Sequence, residues 1–462
     1  MTLQSRPPNI LVFLPHDLGD TLHCFGHGAV RSPNLDRLAG RGVRFTNWFC
    51  ASPECSPSRG AMMTGYHPHQ NGMMGLANFG WRLCEPHLAR RLFELGYETH
   101  LFGFQHEIHG APESLGYRHI HARKAWPNGR IAVENVCEDL SAFLSGVGSE
   151  SDRPWFVYAG FDDVHRPWPP ETSFTLNDVR VPPYLPDNPA IRKDLSKFYQ
   201  NIENMDKAIG RTLDALAASP AAAHTVVVFT TDHGPAFPRA KATLYDPGLR
   251  IPLIMYWPGR IEGGRACDEL LCNVDFTPTV LDLVGAGVDE KFAGRSFAAL
   301  LDGRDYPPRE QIVASLLYDV AYDPMHAVRT RTHKYIRSFA ATTQDAAGAD
   351  SETLATHAAG QWIRVDDFDV MSSPAWKSLA KEYPPPPREE LYDLHTDRWE
   401  QRNLVGEPLA DDVLEDMRNR LRDWMIATDS PLLRGHVPPP AKQREASRRY
   451  RPGGPMYRKA RS

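Results

Sequence analysis

The sequence predicts an α/β protein with a large parallel sheet and a smaller C-terminal part of different texture. Three continuous apolar runs rich in β-forming residues each end in acids and histidines. Amphipathic segments of helical period lie between these runs. After about residue 301 the chain changes to short β-like segments separated by turns. Helices over a buried parallel sheet explain the first two observations, and a second structural unit explains the third.

The composition is that of a globular enzyme. The chain has 462 residues, 42% hydrophobic and 24% charged, which suits more than one domain and is too apolar for a mainly disordered chain. A formal net charge of −5 argues against nucleic acid as a partner. Seven cysteines without a Cys-x-x-Cys pair argue against a disulfide framework and a zinc knuckle.

Neither a membrane span nor a targeting segment is evident. Apolar runs stay below the roughly 18 residues that cross a bilayer, so no membrane partner is expected. The first residues lack the basic start, the apolar stretch and the small-residue cleavage site of a signal peptide. The expected location is therefore cytoplasmic, or periplasmic if a leader has been removed.

The three apolar runs predict one functional edge. Residues 9–14, 155–159 and 225–230 are predicted as buried strands. Each is followed by polar residues: His16 and Asp17 after the first, Asp162, Asp163 and His165 after the second, and Asp232 and His233 after the third. In open α/β sheets ligands bind at the carboxyl ends of the strands, so we expect a site there.

The remaining elements follow from helical period and turn signals. Helices are predicted at residues 34–42, 86–96, 195–218 and 410–428, and short strands at 311–317, 327–330, 334–337 and 391–394.

The turn-rich linker at 302–309 divides a main domain, 1–305, from a C-terminal subdomain, 306–435. Residues 343–356 predict an exposed excursion. Residues 436–462 form a basic, Pro-containing tail, expected to be solvated or to make an oligomer contact.

The strongest chemical signal is Cys-Ser-Pro-Ser-Arg at residues 55–59, followed by Met-Thr-Gly at 63–65. A lone cysteine is usually inert, so the context decides. Proline is tolerated in the first turn of a helix, where its missing N–H has no partner. A helix opened by Pro57 places Cys55 at its positive end, which favours an anion or a charged nucleophile. The guanidinium fork of Arg59 suits a tetrahedral oxyanion.

This motif resembles that of the type I sulfatases, the formylglycine-dependent enzymes of the alkaline phosphatase superfamily. Further segments resemble the same family: residues 8–11, 32–39, 42–45, 231–234, 241–245, 250–253 and 391–394. The resemblance covers about residues 8–430. It implies an alkaline-phosphatase-like fold: a mixed, mostly parallel sheet sandwiched by helices, plus a C-terminal α+β domain with an antiparallel sheet. It also implies that a formylglycine-generating enzyme converts Cys55 to an aldehyde, formylglycine.

The resemblance assigns one divalent metal ion to His16, Asp17, Cys55, Asp232 and His233. The family pattern begins with two acids, so His16 is a departure, and a structural role for it stays open. Oxygen ligands favour Ca²⁺ or Mg²⁺, whereas imidazole suits Mn²⁺ or Zn²⁺ better. Ca²⁺ is the first expectation, with Mn²⁺ and Mg²⁺ as alternatives.

Four further residues are implied to bind the sulfate and act in catalysis: Arg59, His106, His165 and Lys241. Phe104 stands where the family carries a lysine, so one cationic contact is missing or comes from elsewhere. His69 and His109 are additional candidates; the alternative for each is a histidine at the surface or one that only supports the residues touching the metal or substrate.

The implied reaction is a two-step hydrolysis. The metal and Arg59 lower the pKa of one hydroxyl of the hydrated aldehyde, and that oxygen attacks sulfur while Asp17 or Asp232 takes its proton. Lys241 and His165 stabilise the sulfuryl oxygens, and His165 or His106 protonates the leaving group. The second hydroxyl then expels sulfate.

The predicted function is hydrolysis of a sulfate ester or an N-sulfate (sulfamate), with a sugar as the expected carrier. Residues 55–65, 69–73 and 181–186 resemble the sulfamidases, the heparan N-sulfatases, whereas Lys241 stands where those enzymes tend to carry arginine. N- and O-sulfates therefore both stay open. The expected partners are a saccharide or small-molecule sulfate, the maturation enzyme and a second copy in a homo-oligomer.

Two alternatives stay open. The Asp232–His233 pair also resembles a phosphonate monoester or phosphodiester hydrolase of the same superfamily. A catalytically silent, sulfatase-like binding protein would explain the departures at His16 and Phe104.

Overall fold

A computed structural model describes residues 7–121, 131–147, 153–319, 322–339, 370, 373–379 and 387–450, with side chains up to residue 447. The strands are β1 (Asn9–Leu14), β2 (Val43–Phe45), β3 (Trp48–Phe49), β4 (Glu98–Gly103), β5 (His119–His121), β6 (Trp155–Gly160), β7 (Thr225–Thr230), β8 (Leu253–Tyr256), β9 (Arg265–Cys267), β10 (Leu271–Cys272), β11 (Gln311–Tyr318), β12 (Tyr322–Thr330), β13 (His333–Ser338) and β14 (Glu389–Asp393). The helices are α1 (Pro33–Arg41), α2 (Cys55–Thr64), α3 (Pro68–Asn71), α4 (Leu88–Glu94), α5 (Val133–Gly146), α6 (Pro189–Ala218), α7 (Asp246–Leu249), α8 (Phe276–Leu283), α9 (Ala298–Leu301), α10 (Pro374–Leu379), α11 (Asp411–Ala427) and α12 (Ala441–Tyr450). Among these helices, none combines the length and apolar character needed to cross a membrane.

The large sheet has the strand order β5-β4-β6-β1-β7-β8-β2-β9. Its central strands pair in parallel, and β8 runs antiparallel to β7 and β2. The sheet is therefore mixed but mostly parallel, as predicted. The three predicted apolar runs form β6, β1 and β7, and every residue in them is buried.

Alternate residues of β1 enter two separate hydrophobic layers. Leu11 and Phe13 pack with apolar residues of α1, α5 and α6 on one face of the sheet. Ile10, Val12 and Leu14 pack with residues of α2, α4 and α8 on the other face. This period of two places both sides of the strand in contact with helices, which explains why the run is apolar throughout.

The C-terminal sheet is antiparallel, in the order β11-β12-β13-β14. Its four predicted strands are confirmed, although β12 begins at Tyr322 because that residue still pairs with Tyr318 of β11. The predicted helix is α11, whose apolar face joins the same hydrophobic cluster as the sheet through Leu414, Met417 and Leu421. The predicted excursion at 343–356 lies outside the described residues.

Helix α6 begins before the predicted residue 195. The side-chain oxygen of Asn188 accepts hydrogen bonds from the backbone N–H groups of Ala190 and Ile191. Pro189 follows as the first helical residue, where a proline is tolerated. The Asn-Pro pair is therefore the start signal that the apolar periodicity alone did not reveal.

The beginning of the basic tail packs on the protein instead of extending into solvent. The Tyr318 hydroxyl donates to the carbonyl of Val437 at 2.8 Å. The buried side chain of Gln443 accepts from the indole N–H of Trp81 and donates to the carbonyl of Asp319, both at 3.0 Å. The expectation of a solvated arm is therefore wrong for residues 437–447, because a buried indole N–H needs an acceptor and this segment supplies it.

Candidate active site and metal centre

Two neighbouring strands deliver four of the predicted ligands to one edge of the sheet. His16 and Asp17 follow β1, while Asp232 and His233 follow β7, which pairs with β1 in parallel. All four side chains are buried. The backbone N–H of Asp17 donates to Oδ1 of Asp232 at 3.0 Å, which ties the two strand ends together. The predicted edge is therefore the place where these side chains meet.

Cys55 joins this group from the first turn of α2. Its Sγ lies 3.2 Å from Nε2 of His233 and 3.9 Å from Nδ1 of His16. One ligand atom from each of His16, Asp17, Cys55, Asp232 and His233 lies within 4.8 Å of the others. The structure thus brings together all five residues predicted to hold a metal.

The carboxylate of Asp232 is fixed from both sides. Its Oδ1 accepts from the backbone N–H groups of Asp17 and His233, at 3.0 and 2.9 Å. Its Oδ2 accepts from Nε of Arg59 at 3.0 Å and lies 3.4 Å from Nδ1 of His16. Burial opposes ionisation, but the charges of His16, His233 and Arg59 outweigh it and lower the pKa of Asp232. Asp232 is therefore an anion with one oxygen facing the cluster.

Asp17 divides its oxygens between the cluster and a lysine. Oδ1 lies 2.6 Å from Nδ1 of His16 and 3.4 Å from Nε2 of His233. Oδ2 accepts from Nζ of Lys241 at 2.9 Å. Burial opposes ionisation of this carboxyl, but the charge of Lys241, with smaller contributions from the histidines, holds the pKa of Asp17 well below its usual range.

The tautomer of His233 is fixed by the backbone. Its Nδ1 donates to the carbonyl oxygen of Gly234 at 2.9 Å, so its Nε2 carries a lone pair when the ring is neutral. That lone pair faces Cys55 and Asp17. A histidine that donates one nitrogen to a carbonyl and turns the other inward is arranged as metal-ligating histidines are. Two carboxylates and two imidazoles fit a divalent cation.

Arg59 lies behind the cluster and is fully buried. Its Nε donates to Asp232, its Nη1 to the hydroxyl of Tyr158 at 2.8 Å, and its Nη2 to the carbonyl of Pro15 at 3.2 Å. These bonds make Arg59 a support for Asp232. Its contact with a substrate sulfate stays a prediction.

Sequence reasoning missed the residues that continue this support. The Tyr158 hydroxyl accepts from Arg59 and donates to Oε1 of the buried Glu107 at 3.1 Å. Glu107 in turn accepts from the backbone N–H of His106 at 2.7 Å. Tyr158 lies within an apolar strand, where nothing in the sequence marks a polar role. Glu107 directly follows His106, a proximity that could have suggested it.

Lys241 and His165 lie beside the cluster; Lys241 is buried, and His165 is partly exposed. The Nζ of Lys241 lies 3.4 Å from Nε2 of His165, and that nitrogen lies 3.8 Å from Oδ2 of Asp17. The Nδ1 of His165 donates to the carbonyl of Arg166 at 2.6 Å. The His165 side chain is 25% exposed, whereas Asp17 is fully buried. His165 is therefore more accessible to an anion from solvent than the carboxylate of Asp17 is.

His106 and Phe104 line the opposite part of the cluster. The ring of Phe104 stacks on His16 with centroids 6.0 Å apart, and the ring of His106 lies 5.6 Å from that of His16. Burial, with repulsion from His16 and Arg59, lowers the pKa of His106 well below its ordinary range. His106 is therefore a neutral imidazole at pH 7.

The other two candidate histidines lie elsewhere. His69 packs against Trp424 of α11 and hydrogen-bonds to the carbonyl of Thr428. His109 is exposed. The surface alternative holds for His109, and His69 has a contact with the C-terminal subdomain.

The C-terminal sheet holds the segment that carries Lys241. Lys334 of β13 is buried, and its Nζ donates to the carbonyl of Leu244 at 3.1 Å and pairs with Asp246 at 2.5 Å and Glu400 at 3.0 Å. Burial raises the pKa of Glu400 to about 7. No sequence pattern indicated this buried clamp of Lys334 with Leu244, Asp246 and Glu400, because its members are far apart along the chain.

Comparison with known families gives two matches. A family model described as Sulfatase matches residues 8–286. A second, described as N-sulphoglucosamine sulphohydrolase, C-terminal, matches residues 238–346. The first covers the cluster, and the second covers Lys241 and three strands of the C-terminal sheet.

Two similar proteins and one similar solved structure extend this comparison. The chain is 27% identical to an ulvan-active sulfatase from Formosa agariphila, over 91% of this chain and 75% of that protein. It is 27% identical to human N-sulphoglucosamine sulphohydrolase, over 93% and 92%. A solved structure described as a complex with its substrate D-glucosamine-2-N,6-O-disulfate superposes with a TM-score of 0.69, at 17% identity, over 92% of this chain and 98% of that one. At that identity the likeness shows the fold.

Proposed function

The chain belongs to the sulfatase family and is a sulfuric ester hydrolase, and from this premise we propose that it releases sulfate from a sulfated sugar. The observation that carries the proposal is the convergence of His16, Asp17, Cys55, Asp232 and His233 within 4.8 Å, beside Lys241 and His165. Acids and histidines that can hold a metal, with a modifiable cysteine and a lysine beside them, are groups able to supply a nucleophile and to balance charge on a transferring sulfuryl group.

We take a sulfated aminosugar as the first substrate to test. The second family model and the human relative carry the name of an N-sulphoglucosamine sulphohydrolase. The relative from Formosa agariphila is named for ulvan, so sugar O-sulfates form the second class. Both classes present a tetrahedral sulfuryl group to the same cations.

The nucleophile is proposed to be formylglycine made from Cys55 by a formylglycine-generating enzyme. Burial raises the pKa of the Cys55 thiol well above its usual range, so the side chain as translated is a neutral thiol and a weak nucleophile. An aldehyde at this position would supply an oxygen nucleophile in its place.

The cluster residues are proposed to hold one divalent metal ion, which when bound would polarise a sulfate oxygen and favour an ionised oxygen nucleophile. The rest of the chemistry falls to the chain itself. Lys241 and His165 balance charge on the sulfuryl oxygens. His165 delivers a proton to the leaving group, because it is partly exposed and lies beside Lys241, whereas the lowered pKa of His106 keeps that ring neutral. Asp17 stays ionised beside Lys241 and can accept a proton from the nucleophile.

Sulfate release from glucosamine N-sulfate, sugar O-sulfates and an aryl sulfate tests the proposal, with Cys55→Ala as control. We expect release from at least one sugar sulfate and none from the variant. Faster turnover of a phosphonate monoester than of every sulfate would favour the phosphonate hydrolase instead. A thiol that stays unmodified in native cells, seen by mass spectrometry of the tryptic peptide at residues 45–59, would favour the silent binding protein.

A further inference from the structure

We propose that the cluster selects a first-row transition ion such as Mn²⁺ or Zn²⁺ over Ca²⁺, and that His16 and His233 cause this selection. The inference rests on the proposed function only in taking the cluster as a metal site. It replaces the expectation of Ca²⁺ that oxygen ligands suggested.

The first step is the number of oxygens that the carboxylates can offer. Oδ1 of Asp232 is taken by two backbone N–H groups. Oδ2 accepts one hydrogen bond from Nε of Arg59 and has its second lone pair left for the cluster. Oδ2 of Asp17 is taken by Lys241, which leaves Oδ1. Each acid therefore contributes one oxygen. Ca²⁺ takes about six to eight oxygen ligands, so these acids would supply a small fraction of them.

The second step is the number of nitrogens. Nε2 of His233 is turned inward because Nδ1 is held by the carbonyl of Gly234. Nδ1 of His16 lies 2.6 Å from Oδ1 of Asp17, 3.4 Å from Oδ2 of Asp232 and 3.9 Å from Sγ of Cys55. Both imidazoles thus present a nitrogen to the same small volume. Imidazole nitrogen is a ligand for transition ions and is foreign to Ca²⁺ sites.

The third step is that the ring of His16 is held in place. Phe104 stacks on one side of it, with an interplanar angle of 9°. The ring of His165 meets it edge-on, with centroids 4.6 Å apart. A ring packed in this way keeps Nδ1 in the cluster, so the nitrogen is a built part of the site. Phe104, which stands where the family carries a lysine, thus supports His16, which stands where the family carries its first acid.

Metal binding to the full-length, metal-stripped protein tests the proposal without any substrate. Calorimetric titration with Mn²⁺ and with Ca²⁺ gives the preference directly. Zn²⁺ is left out because it binds most nitrogen-containing sites more tightly than Mn²⁺ does, so tight Zn²⁺ binding would not distinguish this site. We expect tighter binding of Mn²⁺ by the wild type, and a fall of about 10–100-fold in that preference in His16→Asp. Electron spin-echo spectra of the Mn²⁺ protein should show two coupled imidazole nitrogens, and one in His16→Asp or His233→Asn.

The control is His119→Ala, which alters the stacked histidines His100 and His119 on strands β4 and β5. It should leave the stoichiometry and the preference unchanged. Tighter binding of Ca²⁺ by the wild type, an unchanged preference in His16→Asp, or Mn²⁺ spectra without imidazole coupling would each overturn the proposal. None of these outcomes depends on sulfate release, so failure of the metal inference and failure of the sulfatase proposal are told apart.

Discussion

The ammonium group of Lys241 lies 2.9 Å from Oδ2 of Asp17, the carboxylate whose other oxygen faces the metal-site residues. One lysine therefore sets the charge of a cluster residue and stands next to His165, where the sulfate is expected. Lys241→Met should lower kcat/KM for sulfate release by about 10²–10³-fold, because a cation that stabilises charge in the transition state is removed. Lys241→Arg keeps the charge and should recover part of the loss. Equal kcat/KM for wild type and Lys241→Met would contradict the assignment.

The hydroxyl of Tyr158 connects Arg59 to Glu107, and removing it tests that connection. Tyr158→Phe should lower the free energy of unfolding by about 1–3 kcal/mol, since it leaves buried polar groups without a partner. It should also reduce kcat/KM, because Arg59 positions Asp232. The matched control is Tyr97→Phe, which removes another buried hydroxyl that bonds to the carbonyl of Pro8, away from the site. If Tyr97→Phe lowered kcat/KM as much as Tyr158→Phe, the loss would be a general effect of reduced stability and would not depend on Arg59.

The buried clamp of the C-terminal sheet should matter for stability and for activity. Lys334→Met leaves the carboxylates of Asp246 and Glu400 without this cation, and we expect a loss of about 3–5 kcal/mol in the free energy of unfolding by denaturant titration. A lower kcat/KM should accompany it, because Lys334 also holds the carbonyl of Leu244 near Lys241. Arg331→Met, on the exposed surface of the same subdomain, is the control and should change stability by less than about 0.5 kcal/mol.

His326 should make the protein sensitive to acid. Its ring is fully buried, and burial lowers its pKa from 6.5 to about 3. Between these values the unfolded chain binds a proton that the folded protein does not, so stability falls as pH falls from about 6.5 towards 3. The slope for one such group approaches about 1.4 kcal/mol per pH unit. His326→Leu should flatten the stability curve in this window, while the exposed His395→Ala should leave its slope unchanged. An identical slope in His326→Leu would show that another group controls it.

The sequence predicted the elements whose signals are local. Strands β1, β6 and β7 are continuous apolar runs, and each carries its polar residues directly behind it. Strands β1 and β7 lie side by side in parallel, and His16 meets His233 at their ends, as the family resemblance implied. The motif at 55–59 predicted a helix opened by Pro57, and α2 is found there, but it begins two residues earlier, at Cys55.

What the sequence could not predict depends on contacts between distant segments. Lys334 reaches Asp246 and Leu244 across about ninety positions, and no periodicity links them. Tyr158 has the same apolar neighbours as any core residue, and only the fold places its hydroxyl against Arg59. The orientation of His233 also depends on one carbonyl, that of Gly234. Each of these contacts arises only when the fold brings distant groups or a single backbone carbonyl into place.

The most direct test is the rate of sulfate release as a function of the fraction of chains that carry formylglycine at position 55. That fraction can be varied by co-expression with a formylglycine-generating enzyme and measured by mass spectrometry of residues 45–59. We predict a rate proportional to the aldehyde fraction on a sugar N-sulfate or O-sulfate, and no release by Cys55→Ala. Release at an equal rate by Cys55→Ala, or none from any sugar sulfate by chains that are mostly converted, would contradict the account.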